Sequence, residues 1–172
     1  EDGAGERDPV RGAVRVRLGA PEQQRVQLVL EEQDKTLAME PRSEGWHELA
    51  PSGARAGTQY CFELANGMRV PDPASRYQPR DVHGPSEVID PAAYQWRDGS
   101  WRGRPWHEAV LYEMHVGAFT PEGTFRAAIE RLDHLVDLGV TALELMPLAD
   151  FPGRRNWGYD GVLLFAPDAS YG

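Results

Sequence analysis

The chain of 172 residues is 41% hydrophobic, which suits one medium or two small globular domains and excludes a disordered polymer. Its 27 acidic and 18 basic residues give a net charge of −9, which opposes nucleic acid binding, and no apolar run approaches the roughly 20 residues that cross a bilayer. A single cysteine excludes an internal disulfide framework. Since no signal-peptide pattern is visible either, we expect a cytoplasmic protein without nucleic acid or membrane partners.

The first part of the chain is a series of short segments in which apolar and polar residues alternate with period two. Turn-forming residues separate these segments, a pattern typical of a small antiparallel β-sandwich. Tyr60, Phe62 and Leu64 share one strand face and should enter its core. Asn66 and Gly67 predict a hairpin turn, because both residues tolerate positive φ. The predicted strands are residues 13–18, 25–31, 36–39, 45–49, 58–64 and 68–70.

Two residues of the predicted sandwich are candidates for chemistry. Trp46 could offer a flat ring to a sugar, but a tryptophan on such a strand more often belongs to the core, and we expect it there. Cys61 lies on the strand face opposite Tyr60 and Phe62. Because no obvious base accompanies this thiol, we expect it to be structural and not a nucleophile.

Regular periodicity disappears between residue 71 and about residue 105, where proline and other turn-forming residues are dense. A loop of this length in a compact structure carries a function or links domains. Near its end the segment carries three tryptophans, Trp96, Trp101 and Trp106. Their spacing predicts that they pack on a neighbouring surface and anchor an extended linker there. We therefore expect a β-sandwich with an irregular tail over residues 1–92, a linker over 93–108 and a second unit over 109–172.

The second unit changes pattern from alternation to strand, helix and strand. We predict strands over residues 109–116 and 140–146, with a helix over 124–138 between them. Thr124 can cap the start of the helix and Gly139 can end it. This order predicts a right-handed βαβ unit with parallel strands, the unit from which a (β/α)8 TIM barrel is built, here incomplete.

Three polar residues, Glu113, His115 and Glu144, stand on the two predicted strands of this unit. They could form a metal site or an acid/base pair. We favour a layer of polar side chains that hydrogen-bond to one another, because metal sites seldom rest on so incomplete a ligand set. We therefore assign no metal ligand and no catalytic residue to this chain.

Residues 156–161, which read NWGYDG, follow the second strand by about ten positions. The two glycines let the backbone approach a ligand closely. The rings of Trp157 and Tyr159 can pack on a pyranose, and Asp160 and Asn156 can bond to its hydroxyls. These four residues are the predicted substrate-binding set, the alternative being an aromatic plug that fills the loop.

The motifs of several stretches resemble one family. Residues 112–125 read YEMHVGAFTPEGTF, residues 144–147 read ELMP, and residues 71–76 and 82–86 read PDPASR and VHGPS. With the loop at 156–161, these stretches resemble the start of the catalytic barrel in glycoside hydrolases of the α-amylase superfamily, and the stretch before it. The resemblance covers most of the chain and is specific from about residue 71. It implies that the first domain is an immunoglobulin-like early-set sandwich.

Within the superfamily, the runs at 71–75 and 119–125 resemble the branch that cleaves the α-1,4 bond next to trehalose in maltooligosyl-trehalose, releasing trehalose without a cofactor. The resemblance implies that Tyr159 stacks on the sugar at the cleavage subsite. It also implies that the catalytic carboxylates follow later barrel strands, so that this amino-terminal fragment alone is inactive. Branching and debranching enzymes share some of the motifs and are alternatives, as is a non-catalytic α-glucan-binding module. The expected partners are an α-glucan substrate and a second copy associating through exposed barrel edges.

Overall fold

The computed structural model describes residues 6–7 and 14–172. The part of the chain before residue 92 contains nine strands and two short 3-10 helices among these described residues. The strands are β1 (Glu6–Arg7), β2 (Val14–Gly19), β3 (Val26–Leu30), β4 (Lys35–Ala38), β5 (Glu40–Pro41), β6 (Trp46–Leu49), β7 (Gln59–Leu64), β8 (Arg69–Val70) and β9 (Ser86–Glu87), and the 3-10 helices are Glu31–Gln33 and Ser43–Gly45.

These strands form two antiparallel sheets that enclose one apolar core. One sheet has the order β1-β2-β6-β5, and the other has the order β4-β3-β7-β8 with β9 also paired to β7. Alternate residues of β2, β3 and β7 point between the sheets, because successive side chains of a strand face opposite sides. The core side chains include Val16, Leu28 and Phe62, which are almost fully buried. This arrangement confirms the predicted sandwich.

The six predicted strands all exist, with ends displaced by at most one residue; residue 13 lies outside the described residues. The hairpin predicted at Asn66 and Gly67 is confirmed. Leu64 N–H donates to the carbonyl of Met68 at 2.9 Å, and Gly67 has a φ of 81°. The sequence pattern missed β1, β5 and β9, because strands of two residues are too short to show a period.

The two candidate residues of the sandwich have different outcomes. Trp46 is only half-buried, and its ring lies 4.6 Å below the guanidinium of Arg17, so the core assignment was wrong. Its neighbour His47 takes the core side instead, opposite Leu18. Cys61 is buried and structural as predicted, because burial, followed by the hydrogen bond from its thiol to Glu31, raises the pKa of the thiol to about 11.

The irregular segment after β8 folds back onto the sandwich through a buried carboxyl. Tyr60 donates its hydroxyl hydrogen to Asp72 Oδ2 at 2.8 Å, and Ala74 N–H donates to Asp72 Oδ1 at 2.8 Å. Burial raises the pKa of Asp72 from 3.8 to about 7, against the lowering effect of these hydrogen bonds. The segment is therefore fixed by these polar contacts together with the pairing of the short strand β9 to β7.

The three tryptophans that were predicted to anchor the linker are exposed. Trp96, Trp101 and Trp106 are 76%, 73% and 82% exposed. None of them is anchored on a surface of the described residues, so the prediction is wrong there. Periodic spacing of aromatic residues indicates an apolar stripe but does not say which surface covers it. Within residues 14–172, no helix is long and apolar enough to cross a membrane.

The second part of the chain contains a parallel strand pair with helices between its strands, as predicted. Residues Tyr112 to Met114 pair in register with residues Leu143 to Leu145. An antiparallel strand pair and two 3-10 helices complete this part. Its elements are a 3-10 helix (Trp106–Glu108), β10 (Leu111–Met114), α1 (Val116–Phe119), α2 (Phe125–Ile129), α3 (Leu132–Asp137), β11 (Ala142–Leu145), β12 (Ala149–Asp150), β13 (Leu163–Pro167) and a 3-10 helix (Ala169–Tyr171).

The helix predicted over residues 124–138 is divided into α2 and α3. Both predicted ends are confirmed, since Thr124 Oγ1 accepts a hydrogen bond from Ala127 N–H at 3.2 Å and Gly139 leaves the helix with a φ of 91°. The break falls at Arg131, whose ψ of 1° is not helical and whose N–H donates to the carbonyl of Ala128, three residues back. A tight turn therefore replaces one turn of α-helix.

The two parts of the chain meet beside β13. Val82 of the irregular segment packs with Leu163 and Ala166 of β13. Gly153 N–H, near the start of the loop that joins β12 to β13, donates to Asp81 Oδ2 at 2.8 Å. The segment after the sandwich therefore supports the root of the loop that carries the candidate site.

Candidate functional site

The predicted sugar-binding stretch, residues 156–161, lies in the loop that joins β12 to β13. His115, directly after β10, touches this loop through a 3.2 Å hydrogen bond between its Nε2 and the carbonyl of Asn156. The loop therefore lies at the carboxyl ends of the parallel strands, the edge at which α/β folds place their ligand sites.

Asn156 fixes the shape of the loop. Its Nδ2 donates to the hydroxyl oxygen of Tyr171 at 3.0 Å, and its Oδ1 accepts from Gly158 N–H. Because both ends of the amide are used inside the protein, Asn156 positions the aromatic residues beside it. Its predicted role as a direct sugar contact stays a prediction.

The two glycines of the loop allow it to pass close to β11 and β12. Gly158 has a φ of 102°, and a Cβ there would lie 2.6 Å from Met146 Cε. A Cβ on Gly161 would lie 2.5 Å from Ala149 Cβ and 2.9 Å from the carbonyl oxygen of the same residue. The end of the Met146 side chain can move aside, so the positive φ is what favours glycine at 158, whereas the contacts with Ala149 require it at 161.

Trp157 and Tyr159 present their rings to solvent. They are 90% and 72% exposed, although the backbone that carries them is tied down. Asp160 contributes to this restraint, since its Oδ2 accepts from Trp157 N–H at 3.0 Å. The structure thus brings the four predicted site residues together on one loop, with two aromatic faces free to meet a ligand.

A buried tyrosine below the loop was not identified from the sequence. Tyr171 is 3% exposed, and its ring centroid lies 6.1 Å from that of His115, 5.9 Å from that of Phe125 and 5.8 Å from that of Phe151. It connects the loop, α2 and the end of β10. Because its partners come from distant parts of the chain, no local sequence pattern predicts that Tyr171 packs beneath the loop.

A pair of buried carboxyls, also missed, lies at the root of the loop. Asp168 accepts from Phe151 N–H at 3.2 Å and from Ser170 N–H at 2.8 Å. Asp150 lies beside Asp168 and is 1% exposed. Burial, then the neighbouring charge and hydrogen bond of Asp168, and then the charge of Asp81 raise the pKa of Asp150 from 3.8 to about 7.

We expect Asp150→Asn to flatten the pH dependence of stability between about pH 4 and pH 7. Folded Asp150 keeps its proton to a pKa of about 7, whereas the unfolded carboxyl loses it near 3.8, so its stabilising contribution is complete below that lower pKa and disappears as the pH rises through the higher one. The wild-type chain should lose up to about 1.4 kcal/mol per pH unit through this group. Chemical denaturation across the window measures the slope.

Asp72→Asn serves as the comparison for this prediction. Asp72 has the same raised pKa, about 7, but lies in the segment that follows the sandwich. Each substitution should remove its own part of the slope, and the double variant should remove both. A slope that Asp150→Asn leaves unchanged would contradict the assignment of a raised pKa to Asp150.

The polar layer predicted from Glu113, His115 and Glu144 is absent from the described structure. Glu113 and Glu144 are opposite each other in the β10–β11 register, and both are exposed. His115 instead turns toward the carbonyl of Asn156. The interpretation failed because strand register places side chains on a face but does not supply hydrogen-bond partners. Among the described residues, no group of three or more His, Cys, Asp and Glu side chains could hold a metal ion.

No family model matches the chain. A crystal structure from Salmonella typhimurium, named a "Putative alpha Amylase", matches 100% of this chain and 29% of its own, at 52% identity and a TM-score of 0.94. The sandwich, the parallel strand pair and the aromatic loop are therefore those of the α-amylase class of glycoside hydrolases.

The more specific relationship comes from curated relatives named malto-oligosyltrehalose trehalohydrolase. The protein from Saccharolobus solfataricus is 44% identical over 155 residues, which are 90% of this chain and 27% of the relative. The protein from Deinococcus radiodurans is 52% identical over 116 residues, 67% of this chain and 19% of the relative. The chain belongs to the malto-oligosyltrehalose trehalohydrolase family as an amino-terminal portion, and it spans about a quarter or less of the length of these relatives.

Proposed function

We propose that the chain is the amino-terminal part of a glycoside hydrolase that cleaves the α-1,4 bond next to trehalose in maltooligosyl-trehalose and releases trehalose. The observation that carries this proposal is the loop at residues 151–161, which displays the rings of Trp157 and Tyr159 on a restrained backbone. The names of the relatives supply the substrate class. Retaining hydrolysis of such a bond requires no organic cofactor.

The proposed architecture is an early-set sandwich over residues 1–92, a linker over 93–108 and the first strands of a (β/α)8 barrel over 109–172. The parallel pairing of β10 with β11, with helices between them, supports the barrel assignment. In such barrels substrates meet the loops that follow the strands, which is where the aromatic loop lies.

Within this proposal, Tyr159 stacks on the sugar at the cleavage subsite and Trp157 provides a second apolar face. Asp160 accepts a sugar hydroxyl hydrogen through Oδ1, because its Oδ2 is engaged with Trp157 N–H. Asn156 takes part through the shape of the loop, since both ends of its amide are bound inside the protein. An apolar ring face and a polar edge together match the two chemical sides of a pyranose.

We expect the isolated chain of residues 1–172 to hydrolyse no α-glucan. A retaining mechanism uses two carboxyl groups about 5–5.5 Å apart that both reach the glycosidic bond. The neighbouring pair Asp150 and Asp168 is buried beneath the loop, 1% and 3% exposed, and cannot reach a bound sugar. The measurement is sugar release compared with that of a heat-inactivated sample. Turnover that Glu113→Gln or Glu144→Gln abolishes would contradict our assignment of both glutamates as non-catalytic.

Product analysis on the longer protein that carries this chain tests the proposed activity. Incubation with maltooligosyl-trehalose should release free trehalose, and a branched glucan should be left intact. Transfer of glucan segments would indicate the branching alternative, and cleavage of α-1,6 branch points the debranching alternative. Glucan binding without any product would favour a non-catalytic binding module.

The second part of the chain exposes large apolar side chains, and we propose that other protein surfaces cover them. Leu111 of β10, Leu145 of β11 and Val136 of α3 are 50%, 41% and 67% exposed. Exposed apolar faces and unpaired strand edges promote association. We expect the isolated chain to associate with further copies, which light scattering measures; a monodisperse monomer would contradict this. A cytoplasmic location is also part of the proposal, consistent with the single buried thiol of Cys61.

A further inference from the structure

A tight turn over residues 78–84, in the irregular segment between β8 and β9, lies against both ends of the aromatic loop. Near the start of the loop, Asp81 Oδ2 accepts a hydrogen bond from Gly153 N–H at 2.8 Å. The next residue, Val82, is 4% exposed and packs against β13, the strand into which the loop returns. Two consecutive residues of the turn therefore contact the loop from outside it, one through a polar group and one through an apolar side chain.

Internal hydrogen bonds hold the turn in this shape. Gln78 is 0% exposed, and its Nε2 donates to the carbonyl of Asp81 at 3.4 Å and to that of Gly84 at 3.3 Å. Gly84 N–H donates to the carbonyl of Asp81 at 2.9 Å. A Cβ on Gly84 would lie 2.8 Å from the carbonyl oxygen of Arg80, so the turn requires glycine there. Asp81 has a φ of 73°, a left-handed conformation that aspartate adopts more readily than most residues.

The first arm of the aromatic loop, residues 152–155, has little else to hold it. Its residues are exposed, Gly153 has a φ of 88°, and a Cβ on this glycine would meet no atom within 4 Å. In the part of the chain that the structure describes, the hydrogen bond from Gly153 to Asp81 is the only one that this arm forms. The arm leads directly into Asn156 and Trp157. Its course toward the aromatic residues therefore depends on Asp81.

The carboxylate of Asp81 links two stretches of backbone. Oδ1 accepts from Val82 N–H at 2.6 Å, and Oδ2 accepts from Gly153 N–H at 2.8 Å. Hydrogen bonds to a charged acceptor are stronger than those between neutral groups. The side chain of Asp81 is nevertheless exposed, so its removal leaves no buried cavity. The contact with the loop can therefore be removed by substitution without disturbing a core.

We propose that Asp81 is the positioning residue of the aromatic loop: through Gly153 it fixes the arm that leads to Trp157 and Tyr159, and so sets where these rings meet the sugar. The inference rests on the proposed function for the reaction, and Asp81 acts through the loop rather than on the substrate. A misplacement of about 1 Å in a group that holds the substrate can lower the rate by about a hundredfold. Loss of the Asp81 carboxylate therefore lowers turnover through Tyr159.

Hydrogen exchange followed by mass spectrometry, on the longer protein that carries this chain, tests whether Asp81 holds the loop. In Asp81→Ala, peptides that cover residues 151–161 should take up deuterium about threefold faster or more than in the parent. Asp34→Ala is the matched control, because Asp34 is also an exposed aspartate with positive φ, 45°, but lies in the sandwich. It introduces similar backbone strain and should leave the uptake of the loop unchanged. Equal uptake in Asp81→Ala and the parent would overturn the proposal.

Steady-state kinetics with maltooligosyl-trehalose test whether the effect reaches the reaction. Asp81→Ala should lower kcat about three- to tenfold with a smaller change in KM, and Asp34→Ala should leave both unchanged. In a Tyr159→Ala background, Asp81→Ala should change kcat by less than about twofold, because the ring through which Asp81 acts is absent. An equal loss in both backgrounds would show that Asp81 acts independently of Tyr159, which contradicts the proposal and leaves the proposed function intact.

Asp81→Asn tests the carboxylate itself. The amide keeps one acceptor oxygen for the two N–H groups, so both the exchange rate of the loop and kcat should lie between those of Asp81→Ala and the parent. An Asn variant as impaired as the Ala variant in kcat, with the loop as protected as in the parent, would separate the two effects and refute positioning through the loop. A parent protein that releases no trehalose would overturn the proposed function, and the exchange result would still decide whether Asp81 holds the loop.

Discussion

Tyr159→Ala, introduced into the longer protein that carries this chain, should lower kcat for trehalose release by tens to hundreds of times. Tyr159 is 72% exposed, on a loop whose backbone Asn156 and Asp160 restrain. A ring held in this way can support the sugar as it flattens toward an oxocarbenium-like state, so part of its contribution arises only in the transition state. Losing that contribution would raise the barrier by about 2–4 kcal/mol. Steady-state kinetics with maltooligosyl-trehalose measure kcat and KM separately.

Tyr159→Phe is the matched control, because it keeps the ring face and removes only the hydroxyl. It should retain most of the turnover. Thermal unfolding of both variants should differ little from that of the parent, since the side chain packs against little of the described structure. If Tyr159→Ala preserved turnover and lowered only the melting temperature, the residue would be a packing residue, and the sugar-site interpretation of the loop would be wrong.

The sandwich was predictable from the sequence because burial alternates along its strands. Tyr60 and Phe62 are 1% and 0% exposed and face the core, as their period-two spacing requires. Trp46 shows where this reasoning fails. In β6, His47 faces the core and Trp46 faces the other side of the sheet. The pairing of β6 with β2 decides which of the two residues faces inward. Residue type alone therefore favoured the wrong side chain.

The sequence predicted where the helix begins and ends but not that it is divided into α2 and α3. An apolar stripe reports which face of a helix could be buried, and Ala128 and Leu135 are indeed buried. Ile129 and Val136, the apolar residues next to them at the same helical spacing, are 64% and 67% exposed. The break at Arg131 is a backbone event that leaves no trace in hydrophobic periodicity.

The residues of the candidate site could be predicted from the sequence motif, but the contacts that hold the loop in place could not. The glycines and aromatic residues of the loop indicated close approach and an apolar face, and the structure has both. The restraints come from contacts across long stretches of chain: His115 meets Asn156 over 41 positions, and Asp81 meets Gly153 over 72. Such contacts depend on how the elements pack, which a single sequence does not report. For the same reason Tyr171 and Asp150 were missed.

Phe62→Ala should lower the free energy of unfolding of the chain by about 3–5 kcal/mol, since removal of a fully buried ring leaves a cavity that the core fills only in part. Phe62 is 0% exposed, lies opposite Leu28 in the sheet register and meets the ring of Tyr60 edge-on at 6.0 Å. A loss of this size is a large part of the stability of an ordinary domain, so the sandwich could unfold at moderate temperature. Chemical denaturation followed by circular dichroism measures it.

Phe165→Ala is the matched control, because it makes the same chemical change on β13 at a side chain that is 58% exposed. Its effect should stay within about 0.5 kcal/mol, as for most surface substitutions. The difference between the two losses of unfolding free energy is then due to burial, because the chemical change is the same in both variants. Equal losses for both would show that the sandwich core does not carry the stability of the chain. That result would place the stabilising contacts beside β13, where Val82 packs against Leu163 and Ala166 and joins the two parts.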